Sequence, residues 1–285
     1  MTIDQLTLQT RKSLSSTYSA READWMTRLI MEDVTGKSRL DLLVDGDKEI
    51  SDTRVRIVGG YVNRLLAHEP LQYILGYETF MGIRFKVTPD VLIPRPETQE
   101  LVELVSDREG SRSDLSVLDA GTGSGCIAIT LSRYLLFPHM TAIDVSPAAL
   151  DVALENARLL RAQSVTFVEA DMTMLNIGLQ GAPFDIIVSN PPYVMDREKA
   201  EMDENVLSHE PAKALFVSDN DPLVFYRALT DFARRGGLKL GGRIYFEANP
   251  LTVGQLASEM KASGWNNVEV LPDSSAKQRF LSASL

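Results

Sequence analysis

The sequence is short of the residues on which several classes of protein depend. Its 285 residues include one cysteine and three histidines, so no internal disulfide framework is possible and no histidine cluster has metal-ligand spacing. No apolar run approaches the roughly 20 residues of a membrane helix, and the N-terminal stretch lacks the apolar core of a signal peptide. We therefore predict a cytoplasmic protein with no membrane contact and no metal site, since low cysteine content fits a reducing compartment.

Positive charge is also scarce. Lys and Arg number 29 against 39 Asp and Glu, which gives a net charge of −10. Non-specific binding to nucleic acid depends on clustered Lys and Arg, so no stable nucleic-acid complex is expected, although a local basic groove is not excluded. The hydrophobic fraction of 44% is ordinary for a globular protein, and the length suffices for one large domain or two smaller ones.

The first 75 residues show helical patterns only. Ser19 and Glu22 have capping-box spacing, and Gly36 is a typical helix end. A second helical pattern begins near Ser51, and Pro70 is expected to end it. The apolar residues that recur at helical intervals in these two stretches are Trp25, Met26, Leu29, Ile30, Val34, Val55, Val58, Val62, Leu65 and Leu66. A helix-only segment ahead of alternating strands and helices predicts a separate domain over residues 1–75; the alternative is that these helices pad one larger domain.

Residues 76–98 are predicted to form a short hairpin and a proline-rich connector. Ile83, Phe85 and Val87 alternate with polar residues, as expected for a half-buried strand. The next helix is expected to begin in the stretch ETQELVELV.

From Leu115 onward, strand-like and helix-like segments alternate. Val- and Ile-rich strands between helices predict an α/β fold, in which helices cover both faces of a parallel, Rossmann-like sheet over residues 99–285. Ligands of such sheets bind beyond the carboxyl ends of the strands. The predicted strands are SVLDAG, MTAIDVS, VTFVEAD, FDIIVSN and GRIYFEAN.

A glycine-rich loop, LDAGTGSG, follows the first of these strands. Gly121, Gly123 and Gly125 allow the backbone to approach a ligand closely at the start of a helix. A dinucleotide fingerprint requires a further glycine where Cys126 stands, and there is no P-loop. Taken alone, the glycine run is equally consistent with a tight turn between a strand and a helix.

Carboxylates follow the next two strands. Asp144 lies 23 residues after Gly121, where an acidic side chain can accept both hydroxyls of a ribose; alternatively it caps the following helix. Asp171 can accept from an exocyclic amine, and Met172 can lie against an adenine face, although Asp171 also suits an ordinary loop. An adenosine-shaped site without a diphosphate cradle indicates S-adenosylmethionine.

The fourth strand leads into NPPY, residues 190–193. Amide and aromatic-amine nitrogens are poor nucleophiles because their lone pairs are delocalised. A site that methylates them must hold the NH₂ group with acceptors, and the Asn190 side chain and the Pro191 carbonyl are such acceptors. Tyr193 can stack on a planar group, and Pro191 and Pro192 hold the segment rigid. The alternative is a rigid turn with no role in binding.

The chain resembles the protein-(glutamine-N5) methyltransferases that act on class 1 peptide chain release factors. NPPY also occurs in DNA and RNA amino-methyltransferases, so the resemblance rests on the ordered combination of VLIPRPET, LDAGTGSG, AIDVS, NPPY and HEPAKALF. It implies that NPPY holds the substrate glutamine amide, the GGQ-motif glutamine in this family. It also implies cofactor-binding roles for the residues of the glycine loop and the acid after the second strand, Gly121, Thr122, Gly123, Ser124, Gly125 and Asp144.

We therefore interpret the chain as a two-domain methyltransferase that acts on a protein glutamine, with Asn190, Pro191 and Tyr193 at the reaction centre. Asp171, Met172 and Asn190 complete the predicted cofactor site, and residues 1–75 are the predicted substrate-recognition domain. Three alternatives stay open: an amino-methyltransferase acting on adenine or guanine in nucleic acid, a glutamine methyltransferase acting on a ribosomal protein, and a non-catalytic adenosine-binding or adaptor module. The segment after NPPY, residues 194–221, has eight acidic and three basic residues, which favours a protein substrate over nucleic acid.

Overall fold

In the computed structural model, which describes residues 1–285, the chain divides into two compact units. The first comprises residues 1–76 with 203–209, and the second comprises 77–202 with 210–285. The elements of the N-terminal part are α1 (Ile3–Leu14), α2 (Ala20–Thr35), α3 (Arg39–Val44), α4 (Asp52–Leu66) and α5 (Leu71–Leu75).

Most of the local signals in this helical part are confirmed. Ser19 and Glu22 form the predicted capping box of α2, and Gly36 ends that helix in a left-handed conformation with φ +70°. Two details of the prediction are wrong. Helix α4 ends at Leu66 rather than near Pro70, because His68 turns to φ +61° and its N–H donates back to the Leu65 carbonyl.

The other incorrect detail is the burial expected of two apolar residues, since Trp25 is 42% and Leu66 36% exposed. The buried side of α2 consists instead of Ala23, Thr27, Ile30, Met31 and Thr35. Ala23, Ile30 and Met31 pack with apolar residues of α1 and α4 in the core of the helical unit.

The second unit contains a seven-stranded sheet in the order β10-β11-β9-β6-β3-β4-β5. The elements of the rest of the chain are β1 (Tyr77–Phe80), β2 (Ile83–Lys86), α6 (Pro96–Glu109), β3 (Ser116–Ala120), α7 (Cys126–Tyr134), β4 (His139–Asp144), α8 (Pro147–Leu160), β5 (Val165–Glu169), β6 (Phe184–Ser189), β7 (Val194–Met195), α9 (Glu204–His209, in the helical unit), α10 (Ala212–Leu215), β8 (Phe216–Val217), α11 (Val224–Phe232), β9 (Leu238–Glu247), α12 (Val253–Ala262), β10 (Asn266–Pro272) and β11 (Gln278–Ser284).

The five predicted strands are β3, β4, β5, β6 and β9, and each pairs in parallel with its neighbours among them. Strands β10 and β11 were not predicted from the sequence. β10 pairs antiparallel with β11, and β11 pairs antiparallel with β9. No helix separates them, so the chain reverses directly. Asp273 forms this turn: its side chain accepts from the backbone N–H groups of Ser275 and Lys277. The sheet is therefore mixed rather than wholly parallel.

Buried apolar residues cover both faces of the sheet in two clusters. The predicted hairpin, β1–β2, belongs to this unit, with Phe80 and Phe85 fully buried in one of the clusters. Asn156 on α8 holds the hairpin to the glycine loop. Its Oδ1 accepts from Lys86 N at 2.7 Å, and its Nδ2 donates to the carbonyl oxygens of Lys86 and Ser124. No helix in the structure is both long enough and apolar enough to span a bilayer.

Candidate active site

A cleft of about 350 Å³ opens beyond the carboxyl ends of β3, β4, β5 and β6. Predicted residues from all four strand ends line it: Gly121, Gly123, Asp144, Asp171, Met172, Asn190 and Pro192. The residues chosen by the strand-end rule therefore meet in one cleft, and its volume lies within the range typical of small-molecule sites.

The glycine loop presents its backbone to the cleft, but most of its N–H groups already donate to other groups of the protein. Gly121 N and Thr122 N both donate to the Ile143 carbonyl, and Gly125 N donates to the Thr122 carbonyl. Gly123 N donates to Asp144 Oδ2 at 2.9 Å. A phosphate cradle depends on free N–H groups at a helix start, so this loop suits an uncharged ligand face better than a diphosphate.

The side chains of the loop turn inward. Thr122 and Ser124 are 3% and 2% exposed, so only their backbone is available to a ligand. Gly125 lies at φ +82°, and a Cβ there would lie 3.0 Å from Ile129 Cδ1 and 3.3 Å from Ala153 Cβ. Gly125 therefore allows α7 and α8 to pack closely and has no visible contact with the cleft.

Asp119, at the end of β3, lies fully buried beneath the loop. Its Oδ2 accepts from Thr122 Oγ1 and from Ala128 N, whereas its Oδ1 has no partner. Burial raises the pKa of Asp119 to about 7. No role was predicted for Asp119 from the sequence; in the structure its side chain holds the loop from beneath through Thr122 and Ala128.

Asp144 connects the end of β4 to the glycine loop. Its Oδ2 accepts from Gly123 N, and its Oδ1 accepts from Ser146 N at 3.0 Å. Ser146, not Asp144, is the N-cap of α8, where its hydroxyl accepts from Ala149 N. Since each carboxylate oxygen has two acceptor positions, one position on each oxygen is free for the two hydroxyls of a ribose.

Asp171 and Met172 lie on the far side of the cleft. Asp171 Oδ1 accepts from the backbone and hydroxyl of Thr173, which leaves Oδ2 free for an amine. Met172 lies close to the glycine loop, because a Cβ on Gly121 would be 2.9 Å from Met172 Cε. Together with Asp144, these residues provide acceptors for an adenosine and an apolar face for its base, so they fit S-adenosylmethionine.

A smaller cavity of about 40 Å³ adjoins the cleft, and both spaces are lined by Leu92, Asn190 and Ala214. Its other lining residues are Arg95, Pro191, Tyr193, Val194 and Leu215. The peptide bonds of the NPPY segment are trans, since the only cis bond precedes Pro183. Three of the four NPPY residues, Asn190, Pro191 and Tyr193, line this small cavity.

A buried hydrogen-bond chain lies behind NPPY. Asn190 Nδ2 donates to Thr98 Oγ1 at 3.0 Å, and Thr98 Oγ1 donates to Glu247 Oε2 at 2.8 Å. The Tyr193 hydroxyl donates to Glu247 Oε1 at 3.0 Å. Arg279 Nη1 donates to the Tyr193 hydroxyl at 3.4 Å. Both catalytic candidates with polar side chains are therefore held by the same carboxylate.

The electrostatics of this chain follow from its burial. Glu247 is 1% exposed, and burial raises its pKa to about 7. Burial and the nearby Glu247 carboxylate raise the pKa of Tyr193 well above its usual value, so its hydroxyl is a donor throughout the physiological range. Asn249 adds a contact, since its Nδ2 donates to the Tyr193 carbonyl at 3.1 Å.

The sequence analysis missed Thr98, Glu247 and Arg279. Glu247 is the last residue of β9 and sits at a strand end like Asp144, so the same rule applied to the fifth predicted strand points to it. Thr98 lies in the IPRPET stretch, which was interpreted only as a connector. Arg279 lies in the missed strand β11, and no sequence signal indicated it.

An ion pair with one buried partner lies beside the small cavity, where Arg95 belongs to the lining. Glu210 has a side chain only 1% exposed; it pairs with Arg95 and accepts from Ile93 N at 3.2 Å. The two motifs IPRPET and HEPAKALF, far apart in the sequence, therefore meet beside NPPY.

Comparison with known proteins supports these observations. Residues 111–232 match the profile described as "Methyltransferase domain", and residues 5–76 match "PrmC N-terminal domain". Solved structures share the fold at low identity. The hMettl16 catalytic domain has a TM-score of 0.56 at 15% identity, covering 82% of each chain. The human methyltransferase 10 domain containing protein has a TM-score of 0.51 at 17% identity, covering 71% of this chain and 90% of that one.

Curated relatives match almost end to end. The release factor glutamine methyltransferase of Bacteroides thetaiotaomicron is 42% identical over 99% of this chain and 100% of its own length. That of Flavobacterium psychrophilum is 37% identical over 99% of this chain and 98% of its own. That of Deinococcus radiodurans is 35% identical over 98% of this chain and 97% of its own. The chain therefore belongs to the release factor glutamine methyltransferase family.

Proposed function

We propose that this protein methylates the side-chain amide nitrogen of a glutamine in class 1 peptide chain release factors, and so acts in translation termination. The observation that carries the proposal is the small cavity at Asn190, which adjoins a cleft suited to S-adenosylmethionine. The near full-length similarity to release factor glutamine methyltransferases supports the choice of substrate. The cytoplasmic location stays a prediction.

S-adenosylmethionine supplies a methyl group activated by a positively charged sulfur. Around it, Asp144 accepts from the ribose hydroxyls, Asp171 accepts from the adenine amine, and Met172 packs against the base. The backbone of Gly121 and Gly123 allows close approach. The inward side chains of Thr122 and Ser124 hold the loop, and Gly125 maintains the packing of the helices behind it.

At the acceptor end, Asn190 and Pro191 orient the substrate amide. Asn190 Nδ2 is engaged by Thr98, which leaves Oδ1 free to accept one N–H of the substrate. The Pro191 carbonyl accepts the other N–H, and proline brings no competing backbone donor. With both N–H groups held in one plane, the nitrogen lone pair would stand perpendicular to that plane and could face the adjoining cofactor cleft, so orientation would precede reaction. The Tyr193 ring lies alongside.

The size of the small cavity favours a carboxamide over a nucleobase. Its volume of about 40 Å³ has room for about three water-sized groups, since one such group occupies about 10–15 Å³. A carboxamide has three heavy atoms, whereas a purine ring has many more. This observation supports a protein glutamine as substrate.

The segment after NPPY supports a protein partner as well. Residues 194–221 include eight acidic and three basic residues, and its carboxylates at Asp196, Glu201 and Glu204 are exposed. Such a surface repels phosphate backbones and attracts basic protein surfaces. We assign substrate recognition to the helical unit, residues 1–76, as part of the same proposal.

Mass spectrometry tests the proposal directly. A purified class 1 release factor is incubated with the protein and S-adenosylmethionine, and its peptides are mapped. We expect a mass gain of one methyl group on the glutamine of the GGQ motif, and no such gain over the same reaction time with the Asn190→Ala variant. Parallel reactions use ribosomal proteins and DNA or RNA oligonucleotides. Transfer to one of these, with the release factor unmodified, would overturn the proposal.

A further inference from the structure

We propose that Glu247 is a positioning residue, which acts through the Thr98 hydroxyl to hold the Asn190 amide with its oxygen toward the substrate. The inference deepens the proposed function and rests on it for the role of Asn190. Glu247 touches neither substrate nor cofactor in this assignment; its effect passes through two hydrogen bonds.

The direction of these hydrogen bonds follows from their chemistry. An ionised carboxylate only accepts, so the single hydroxyl hydrogen of Thr98 must point toward Glu247 Oε2. Thr98 Oγ1 must then accept from Asn190, and the only donor on that side chain is Nδ2. The Asn190 oxygen is consequently directed away from Thr98, where it can accept from the substrate.

Protonation of Glu247 removes this constraint. A neutral carboxyl group can donate to Thr98 Oγ1, after which the Thr98 hydroxyl can donate to Asn190 Oδ1. The Asn190 amide then presents its NH₂ group to a substrate that also offers N–H groups, and two donors repel each other. The orientation required for reaction is therefore tied to the ionised form of Glu247.

The environment of Glu247 places this switch near neutral pH. Burial raises its pKa to about 7, opposed by hydrogen bonds from Thr98 and Tyr193 and by the charge of Arg279. The titratable and charged groups around it are Glu97, Cys126, Tyr193, Tyr226 and Arg279. The Tyr226 hydroxyl donates to the backbone carbonyl oxygen of Glu247 and therefore does not compete for its carboxylate.

A purely structural role accounts less well for this arrangement. A buried carboxylate is costly, and an apolar side chain of similar volume is often as stable or more so. Tyr193 and Arg279 contact one another and require only one oxygen of Glu247. The second oxygen engages Thr98 alone, and Thr98 in turn leads to Asn190.

Variants of Thr98 test the connection. Thr98→Val keeps the shape but removes the hydroxyl, so we expect kcat on the release factor to fall about tenfold or more, with the Kd for S-adenosylmethionine unchanged. Thr98→Ser restores the hydroxyl and is expected to recover most of kcat. Thr130→Val is the matched control, because Thr130 is also a fully buried threonine, but its hydroxyl has no partner. A Thr98→Val enzyme with wild-type kcat would overturn the proposal.

The pH profile provides the second readout. In the wild type, kcat is expected to rise with a midpoint near pH 7, as Glu247 becomes ionised, and to level off at higher pH. Glu247→Gln cannot ionise, so we expect low kcat and no such rise. A Glu247→Gln enzyme that keeps both the wild-type kcat and its rise would contradict the assignment.

NMR of the Asn190 side-chain amide separates this inference from the proposed function. Its ¹⁵N signal, assigned by its loss in Asn190→Ala, is expected to shift with a midpoint near pH 7 in the wild type and to lose that transition in Glu247→Gln. This measurement needs no substrate, so it decides the inference even if the release factor is not methylated. An Asn190 signal with no transition near that pH would overturn the inference and leave the proposed function standing.

Discussion

The two ends of the cleft are built from different parts of the chain. The cofactor end depends on one contiguous loop, Gly121–Gly125, whose backbone is held by internal hydrogen bonds and by Asp144. The acceptor end is assembled from side chains that lie far apart in the sequence: Thr98, Asn190, Tyr193, Glu247 and Arg279. The first end therefore combines a backbone loop with the Asp144 side chain that holds it, whereas side-chain hydrogen bonds make up most of the second.

This difference predicts how each end responds to substitution. The inward side chains of the loop, Thr122 and Ser124, contact protein only, so their substitution is expected to act through the loop conformation. At the acceptor end, the loss of a single oxygen or nitrogen changes which way an amide faces. Mutations at the cofactor end should consequently change the affinity for the cofactor, and mutations at the acceptor end should change turnover.

The largest effect is expected for Asn190→Ala. Because the Asn190 oxygen holds the substrate amide in the proposed reaction, its loss should reduce kcat on the order of 100-fold or more, as for other preorganised polar contacts. Calorimetry should show cofactor binding close to that of the wild type, since the rest of the cleft is unchanged. Turnover at the wild-type rate would remove Asn190 from the reaction. A large loss of cofactor affinity would show that Asn190 also acts at the cofactor end.

Asp144→Ala is expected to have the next largest effect, and on affinity. Loss of the ribose acceptor should weaken S-adenosylmethionine binding by about 1.5–3 kcal/mol, the range for hydrogen bonds to charged groups. Isothermal titration calorimetry measures it. Ser146→Ala serves as the control for helix capping, because it removes the cap of α8; it should lower stability by about 1 kcal/mol and leave the Kd near the wild-type value. An unchanged Kd in Asp144→Ala would restrict Asp144 to holding the loop.

Gly121→Ala tests whether backbone geometry controls the cofactor end. Gly121 lies at φ +78°, and a Cβ would lie 2.9 Å from Met172 Cε, so alanine strains the loop at the ligand-facing side. We expect stability to fall by about 1 kcal/mol and the cofactor Kd to rise by less than about tenfold, the equivalent of about 1.4 kcal/mol. Thermal unfolding and calorimetry measure the two effects.

Gly59→Ala is the matched control for that substitution. Gly59 lies inside α4, and a Cβ there meets nothing within 4 Å. Alanine should stabilise the protein by about 0.4–1 kcal/mol without changing the Kd. If both glycine variants behave alike, the conformation of the loop has no special part in binding.

The same contrast explains what the sequence predicted. The cofactor end was predictable because its signals are local: a glycine run after a strand, then an acid after the next strand. The NPPY residues were predictable for the same reason. Their positions in the structure agree with the expectation that strand ends meet at one edge of the sheet, as the lining of the cleft shows. The roles of these residues in binding stay predictions.

The acceptor network was not predictable from local pattern, because its members meet only in the folded chain. Thr98 lies 149 positions from Glu247, and neither residue has a neighbour that suggests the contact. Strands β10 and β11 were missed for a related reason. The alternation of strands and helices stops after α12, and only the turn at Asp273 indicates that the chain reverses. Arg279, carried by β11, was missed with its strand.

The smallest expected effect concerns salt, which should act on the acceptor end alone. The segment after NPPY, residues 194–221, has eight acidic and three basic residues, so it should attract a basic substrate surface. Salt screens this attraction, because the Debye length falls from about 30 Å at 0.01 M salt to about 8 Å at 0.15 M. We expect kcat/KM for the whole release factor to fall about threefold or more over that range, because steering by charge acts on association.

A short peptide with the same glutamine has fewer charges and should respond less. It should also be a poorer substrate at low salt, since remote contacts position the amide. The cofactor Kd, measured in the same buffers, should change least. Equal kcat/KM values for peptide and whole protein at low salt would show that recognition is confined to the small cavity, and would leave the helical unit and the acidic segment without the role proposed for them.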